Sequence, residues 1–510
     1  MVAVVLDPRR TIGPVSPLVF GSFVENLHRC VYGGVYDPDS PVADASGFRT
    51  DVIDAARAMG VTNVRFPGGC YAAYYHWKDG VGPTSERPST RYRADGAWPV
   101  ANDFGTDEFM AWCGEVGAEP YLCVNMGTGT PEEARDWVEY CNGEPGSRWA
   151  DERVRNGHPE PYGVRYWALG NEISGEWEMG YTATPEEYVR RARDFATAMK
   201  AADPSIQLVL SGAHFPVGFP QPNWNRDVLY PLYEHADFIS MHHYIGHDYA
   251  DDIRERHAEM GVTAVFEHLT EYMRLLEDAV DVVRQDIRLV NHDKGTPGKP
   301  IGIALDEYNP WYKTGDDPQC EDGLTEEYHL ADSLLVAAYF GIFLRNADVL
   351  TLANMAQLVN TLPAVVCESG GKGFYRQGIS YVQELFAASR GHTAIDVWAD
   401  SPVREGSYYP SVPLLDVSAS HDEASGEVLL YAVNRDPERP LSLEVACPAG
   451  PLTPHGVAMV GGGPLDAANT FAEPERITIR HRPADASTPL VVPPATVIRV
   501  RLCPGTAVCR

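Results

Sequence analysis

Trp167-Ala168-Leu169-Gly170-Asn171-Glu172 is a short apolar run that ends in an amide and a carboxylate, and Ile303-Ala304-Leu305-Asp306-Glu307-Tyr308-Asn309 repeats the design far along the chain. Each reads as a buried β-strand with a carboxylate at its C-terminal end. A retaining glycosidase needs such a pair, one carboxylic acid to protonate the leaving oxygen and one carboxylate to attack the anomeric carbon, about 5 to 5.5 Å apart. Strand ends on a closed barrel supply that spacing.

The same grammar, a strand-like run followed by a helical pattern, occurs eight times. The runs are Val19 to Glu25, Asn63 to Pro67, Pro120 to Met126, Val164 to Gly170, Gln207 to Ser211, Phe238 to Tyr244, Ile301 to Tyr308 and Val349 to Asn354. Eight β-then-α units predict an α/β fold, the (β/α)8 TIM barrel. Thr130-Pro131-Glu132-Glu133 and Thr184-Pro185-Glu186-Glu187 place Thr at N-cap, Pro at N1 and Glu at N3, two capping boxes where the barrel needs helices to begin. Leu334 to Leu344 is too short to cross a bilayer and reads as a buried helix on the barrel's outside.

Beyond residue 385 the texture changes to short alternating runs, Glu427 to Val433, Leu441 to Val445 and Val497 to Leu502, separated by Pro, Gly and Asp. These predict an all-β, jelly-roll-like sandwich. Val2 to Leu6 is expected to add a strand to it, because chain termini often lie close together. The expected division is residues 15–385 for the barrel and 1–14 with 386–510 for the sandwich.

At 510 residues the chain exceeds one ordinary core. A hydrophobic share of 44% and a charged share of 22% are ordinary for a globular protein, and a net charge of −30 argues against a nucleic-acid or anionic-membrane partner. The ten cysteines form no CxxC pair and suit reduced thiols. Fraying of the terminus counts against a bridge between Cys503 and Cys509. Met1 to Arg10 has neither a basic leader nor a cleavage site, so a cytoplasmic location is expected.

In a parallel barrel the site is built at the C-terminal strand ends. Glu25 ends the first run, Arg65 lies late in the second and Asn125 near the end of the third. Asn171 and Glu172 end the fourth, His242 and Tyr244 the sixth, and Glu307 the seventh, while Asn354 and Gln357 follow the eighth. Taken alone, Glu172 reads equally as a helix N-terminal charge and Glu307 as a structural ion pair; seven polar strand ends together point to a pocket. Asn171 beside Glu172 suits a sugar 2-hydroxyl, and Arg65 and Tyr244 suit holding a carboxylate ionised.

His242 and His243 are adjacent and point to opposite faces, so they do not share a metal ion. His242 is assigned to the pocket and His243 to packing against a helix; no metal and no cofactor are expected. Cys70 lacks an obvious base and reads as a pocket-lining thiol. Gly127-Thr128-Gly129 is half of a dinucleotide fingerprint whose third glycine is replaced by Glu132, so no phosphate cradle is expected. Among the loop aromatics, Trp98 and Trp311 are the expected sugar-stacking residues.

Gly21-Ser22-Phe23-Val24-Glu25-Asn26-Leu27, Arg65-Phe66-Pro67-Gly68-Gly69-Cys70, His76 to Pro83, Phe104 to Phe109, Gly170-Asn171-Glu172, Ser240-Met241-His242-His243-Tyr244, Asp306-Glu307-Tyr308-Asn309 and Asn354-Met355-Ala356-Gln357 resemble the glycoside hydrolase family 51 α-L-arabinofuranosidases. The resemblance implies a retaining mechanism, a barrel with a β-sandwich, no metal and a homohexamer. It implies Glu172 as general acid/base and Glu307 as nucleophile. Glu25, Asn171 and Gln357 would hold arabinofuranose hydroxyls, with Arg65, Cys70, Asn125, His242 and Tyr244 around them. Tyr308 and Pro310 stand where the family usually has Trp and Val, which places those two differences at the rim. The implied substrate is an arabinose-containing oligosaccharide. The same carboxylates would serve an endoglucanase or a β-xylosidase, and a non-catalytic carbohydrate-binding protein is the alternative of another class.

Overall fold

The computed structural model describes residues 1–92, 98–213, 223–246, 260–312, 324–484, 487 and 489–505. Eight parallel strands close into a barrel: β1 (Gly21–Phe23), β2 (Asn63–Phe66), β3 (Glu119–Val124), β4 (Tyr166–Leu169), β5 (Gln207–Leu210), β6 (Phe238–Ile245), β7 (Gly302–Pro310) and β8 (Leu350–Met355). All eight fall within or against the runs read from the sequence. β6 shows why those runs look almost continuously apolar. Ile239 and Met241 face the helices, and Phe238, Ser240, His242 and Tyr244 face the barrel axis, so both sides are buried.

The axis is filled at its lower end by Leu18, Tyr121, Cys123, Tyr166, Ala168, Val209, Phe238, Ala304 and Leu352. Above this apolar plug the axis becomes polar, with Arg65, Asp306 and Glu307 buried there. The helices Pro131–Asn142 and Pro185–Ala202 begin as expected, with Thr130 and Thr184 accepting from the backbone N–H of Glu133 and Glu187. The first box is only half formed, because Glu133 turns its carboxylate to His76, 2.9 Å from Nδ1.

After the barrel, nine strands form one continuous sheet over a single apolar core that includes Val4, Val417, Leu430, Val492 and Val500. The N-terminal strand Val2–Pro14 sits inside it, antiparallel to Thr393–Ala399 and parallel to Leu441–Ala446. The sheet folds over so that its edge strand Leu490–Val492 comes against Val428–Asn434, where Asn434 Nδ2 donates to Val492 O (3.2 Å) and Pro493 O (2.9 Å). This is the β-sandwich expected from the sequence, made from one folded sheet. Helix Leu330–Arg345 is buried on nearly every side because the strand Leu415–His421 covers the face turned away from the barrel. Among the described residues no helix is long and apolar enough to cross a membrane.

One cysteine expectation is corrected. Cys503 is disulfide-bonded, whereas seven other described cysteines are free. The terminal segment is tied to the sheet through Thr496–Pro504, so it does not fray before Cys503.

Candidate active site

β7 carries Asp306 and Glu307 side by side, and both face the barrel axis. Strand side chains alternate between faces, so this requires a break in register. It lies between the pairs Ala304–Ser240 and Glu307–His242, where β7 takes three residue steps against two of β6. That β-bulge resets the alternation. Tyr308 consequently faces outward, 4.8 Å from the Tyr339 ring and 5.2 Å from Phe343. The expectation that Tyr308 shapes the rim is therefore corrected: it belongs to the barrel–helix layer. Pro310 ends the strand buried, its carbonyl accepting from Tyr328 Oη at 2.7 Å.

Glu307 is held at both oxygens. Arg65 Nη1 donates to Oε1, and Tyr244 Oη donates to Oε2 at 2.7 Å. A Cβ on Gly69 would lie 2.7 Å from Oε1, so only glycine lets the loop after β2 lie this close.

Glu172 reaches the same place from β4. Gly170 and Glu172 both adopt left-handed backbone (φ 80° and 42°), turning the chain sharply over the mouth. Its Oε2 accepts from Trp177 Nε1 at 2.6 Å, and Oε1 lies 2.7 Å from His242 Nδ1. One oxygen of Glu172, one of Glu307 and a ring nitrogen of His242 all lie within 4.8 Å of one another. That closeness suits direct attack by the second carboxylate and leaves no room for a water between carboxylate and sugar.

His242 is the hub. Nδ1 faces Glu172 and lies 3.5 Å from Glu307 Oε2, and Nε2 lies 3.3 Å from Asp306 Oδ1. Burial pulls its pKa down, but the Glu307 charge and the bonds to Asp306 and Glu172 overcome this and raise it to about 10. Both ring nitrogens are turned to carboxylates, an arrangement that suits a protonated ring. Asp306 accepts from Tyr121 Oη (2.7 Å) and Ser240 Oγ (2.5 Å) and lies 3.6 Å from Arg65 Nε. Burial raises its pKa, yet Arg65 and His242 prevail and hold it at about 2.

The other wall is carboxyl-rich. Glu25 accepts from the Tyr71 N–H (3.0 Å) and from Gln357 Nε2 (2.7 Å), and burial followed by the Glu307 charge raises it to about 8. Asn171 is clamped: Oδ1 accepts from Arg65 Nη2 at 2.7 Å, and Nδ2 donates to Glu178 Oε1 at 3.0 Å. Glu178 is pushed to about 8 by burial and by the charge of Glu172. The Cys70 sulfur and one oxygen each of Glu172 and Glu178 lie within 4.8 Å of one another. Burial and these acids push the Cys70 thiol well up, which makes it an inert wall group.

Among the expected residues, Glu25, Arg65, Cys70, Asn171, Glu172, His242, Tyr244, Glu307 and Gln357 therefore meet in one pocket. Trp311 packs edge-on against Tyr244, with ring centres 5.3 Å apart, at the mouth. The side chain of Trp98 lies outside the described residues. His243 turns away from the axis toward Tyr339, with Nδ1 2.5 Å from its hydroxyl.

Asn125 is a correction. Its Nδ2 donates to Tyr75 O (3.1 Å) and Thr128 Oγ1 (3.0 Å), which leaves no hydrogen for a sugar hydroxyl. Its Oδ1 accepts the N–H groups of Gly127, Thr128 and Gly129. The side chain organises that loop and occupies the amides a phosphate cradle would use.

Sequence reasoning gave no role to Asp306 or Glu178. Strict alternation excludes Asp306 once Glu307 is placed inside, and the bulge has no residue signature. Trp177 is visible as a loop aromatic, but its contact with Glu172 depends on the turn between them. Nothing local marks Glu178.

Comparison with known proteins is consistent with this geometry. The family model described as Alpha-L-arabinofuranosidase 1 domain matches residues 55–260, and Alpha-L-arabinofuranosidase C-terminal domain matches residues 306–495. The chain is 34% identical to alpha-L-arabinofuranosidase C of Emericella nidulans, over 97% of this chain and 96% of that protein. It is 35% identical to an intracellular exo-alpha-(1->5)-L-arabinofuranosidase of Bifidobacterium longum, over 92% and 85% of the two chains. A solved family 51 alpha-L-arabinofuranosidase from Bifidobacterium longum superposes with a TM-score of 0.88 at 31% identity, covering 98% of this chain and 99% of that one.

Proposed function

This chain belongs to the family 51 α-L-arabinofuranosidases, and from that premise we propose that Glu172 is its general acid/base and Glu307 its nucleophile. It is a retaining exo-acting hydrolase that removes terminal non-reducing α-L-arabinofuranosyl groups from arabinose-containing oligosaccharides. The observation that carries the residue roles is the cluster of Glu172, Glu307 and His242 within 4.8 Å.

In the first step Glu307 attacks the anomeric carbon while Glu172 protonates the departing oxygen, and the C–O bond to the leaving group breaks as the glycosyl ester forms. Arg65 and Tyr244 fix the carboxylate in line, so little orientation is lost on attack. Esterification removes the negative charge of Glu307. Glu172, having given up its proton, then takes one from water, and the resulting hydroxide oxygen displaces Glu307 from the sugar. Asn171, held between Arg65 and Glu178, presents its amide to the 2-hydroxyl, and Glu25 with Gln357 receives a further hydroxyl. Trp311 flanks the entrance, and Trp177, a residue more than half exposed (59%), stands over the acid where a leaving-group sugar would lie.

We assign residues 15–385 to the catalytic barrel and 1–14 with 386–510 to the β-sandwich; the sandwich's own apolar core, which draws no residue from 15–385, supports this division, while the barrel's core continues onto the sheet through Leu429, Tyr431 and Val497. A cytoplasmic location is supported by the word intracellular in the names of several relatives. A homo-oligomer, hexameric by family resemblance, is the expected assembly.

The test is turnover of an aryl α-L-arabinofuranoside beside aryl β-xyloside and β-glucoside, by wild type, Glu172→Ala and Glu307→Ala. Release confined to the arabinofuranoside, abolished in Glu307→Ala and restored by azide in Glu172→Ala, is expected. Unchanged turnover in either variant would overturn the role given to that residue.

A further inference from the structure

The Trp177 N–H and the His242 ring each aim a donor at an oxygen of Glu172. Donated hydrogen bonds favour the charged form of a carboxyl group, yet the first step needs a proton there. A counterweight stands on the other side of the pocket. Glu178 is buried (5% exposed), and the oxygens of the two carboxyls share a 4.8 Å cluster with the Cys70 sulfur. Among the described residues the hydrogen bonds to Glu178 come from neutral donors, the Asn171 amide at 3.0 Å and the Cys70 thiol.

We propose that Glu178 is a positioning residue that keeps a proton available on Glu172, the two carboxyls holding one proton between them on a shared wall. This rests on the reading of Glu172 as the acid/base. Two carboxylates so close and so dry do not both ionise readily, and such a pair titrates as a unit. The groups facing Glu178 agree. Cys70 comes from the loop after β2, Glu172 from the same turn and Glu307 from β7, all acids. Arg65 of β2 is separated from it by Asn171, and His242 of β6 faces Glu172 instead. When a glycosidic oxygen docks against Glu172 it selects the arrangement with the proton on Glu172 and the charge on Glu178. The proton then passes to the leaving oxygen. Burial and the Glu172 charge, which raise Glu178 to about 8, are consistent with a proton retained through the neutral range.

Glu178→Gln keeps an acceptor for Asn171 and nearly the same volume but cannot hold or release the proton. With an alkyl α-L-arabinofuranoside, whose departure needs protonation, the alkaline limb of kcat/KM should move to lower pH by about 1 unit or more. Because Glu178 also holds Asn171, the limb is read relative to each variant's own acid plateau. The shift should be smaller with a 4-nitrophenyl leaving group, and Glu178→Asp, which remains titratable, should keep the limb nearer its original position. A merely structural role would lower activity equally at every pH with the limb unmoved, and that result would overturn the proposal. Glu172→Ala is run alongside. Lost alkyl turnover with azide rescue on the aryl substrate upholds the acid/base reading, so the Glu178 result is judged alone. Retained alkyl turnover removes the acid role itself, and the proposal falls with it.

Discussion

Replacing His242 by Gln tests the electrostatic core of the site. In wild type the imidazolium stands among three carboxylates, those of Glu172, Asp306 and Glu307, with distances of 2.7, 3.3 and 3.5 Å. Its pKa rises from 6.5 to about 10. Because the folded value lies above the unfolded one, the stabilisation is fully present below pH 6.5 and is lost as pH rises through about 10. Three and a half units correspond to on the order of 5 kcal/mol at most. Gln fills similar space and keeps a donor but carries no charge, so the cation beside the three acids is lost while Arg65 remains against Asp306 and Glu307. Thermal midpoints of both proteins at pH 6, 7, 8, 9 and 10.5 should show a gap of several degrees at pH 6 that narrows steadily above pH 7. A gap that is constant with pH would mean that His242 contributes shape rather than charge, and one that widens toward alkaline pH would refute the cationic assignment outright.

Asp306→Asn should act at the opposite end of the scale. With its pKa lowered from 3.8 to about 2, the carboxylate contributes about 2 kcal/mol above pH 4 that disappears as pH falls through 2, so acid unfolding curves of variant and wild type should converge there. Gly69→Ala should fold normally but lose about 100-fold in kcat/KM, since its Cβ would meet Glu307 Oε1; unimpaired turnover would show that the loop can retreat. Tyr308→Phe should raise stability slightly, by up to about 1 kcal/mol, seen as a small rise in the thermal midpoint, because the buried Tyr308 hydroxyl has no hydrogen-bond partner among the described residues. Its kcat should match wild type, and a changed kcat would return Tyr308 to the rim.

Much of this protein was legible in the chain because its signals are local. Runs of five to eight largely apolar residues identify the barrel strands. The position of a polar residue at the end of such a run places it at the mouth, since all eight strands are parallel. That logic located Glu25, Arg65, Asn171, Glu172, His242, Tyr244 and Glu307. It misjudged Asn125, because a side chain at a strand end can turn back on its own loop, and only the positions of Tyr75 and of residues 127–129 reveal that choice. Tyr308 was placed at the rim by the family motif, although alternation from an inward Glu307 already turns it toward the helices.

Residue order alone determined the fold class, the two carboxylates and the family, because periodicity, turn chemistry and motif spacing are written in consecutive positions. Tertiary structure alone decided the electrostatics. Asp306, Glu178 and Trp177 gain their significance from neighbours brought in from other strands and turns. Proton affinities depend on burial and on charges within a few ångströms, quantities that do not exist until the barrel closes.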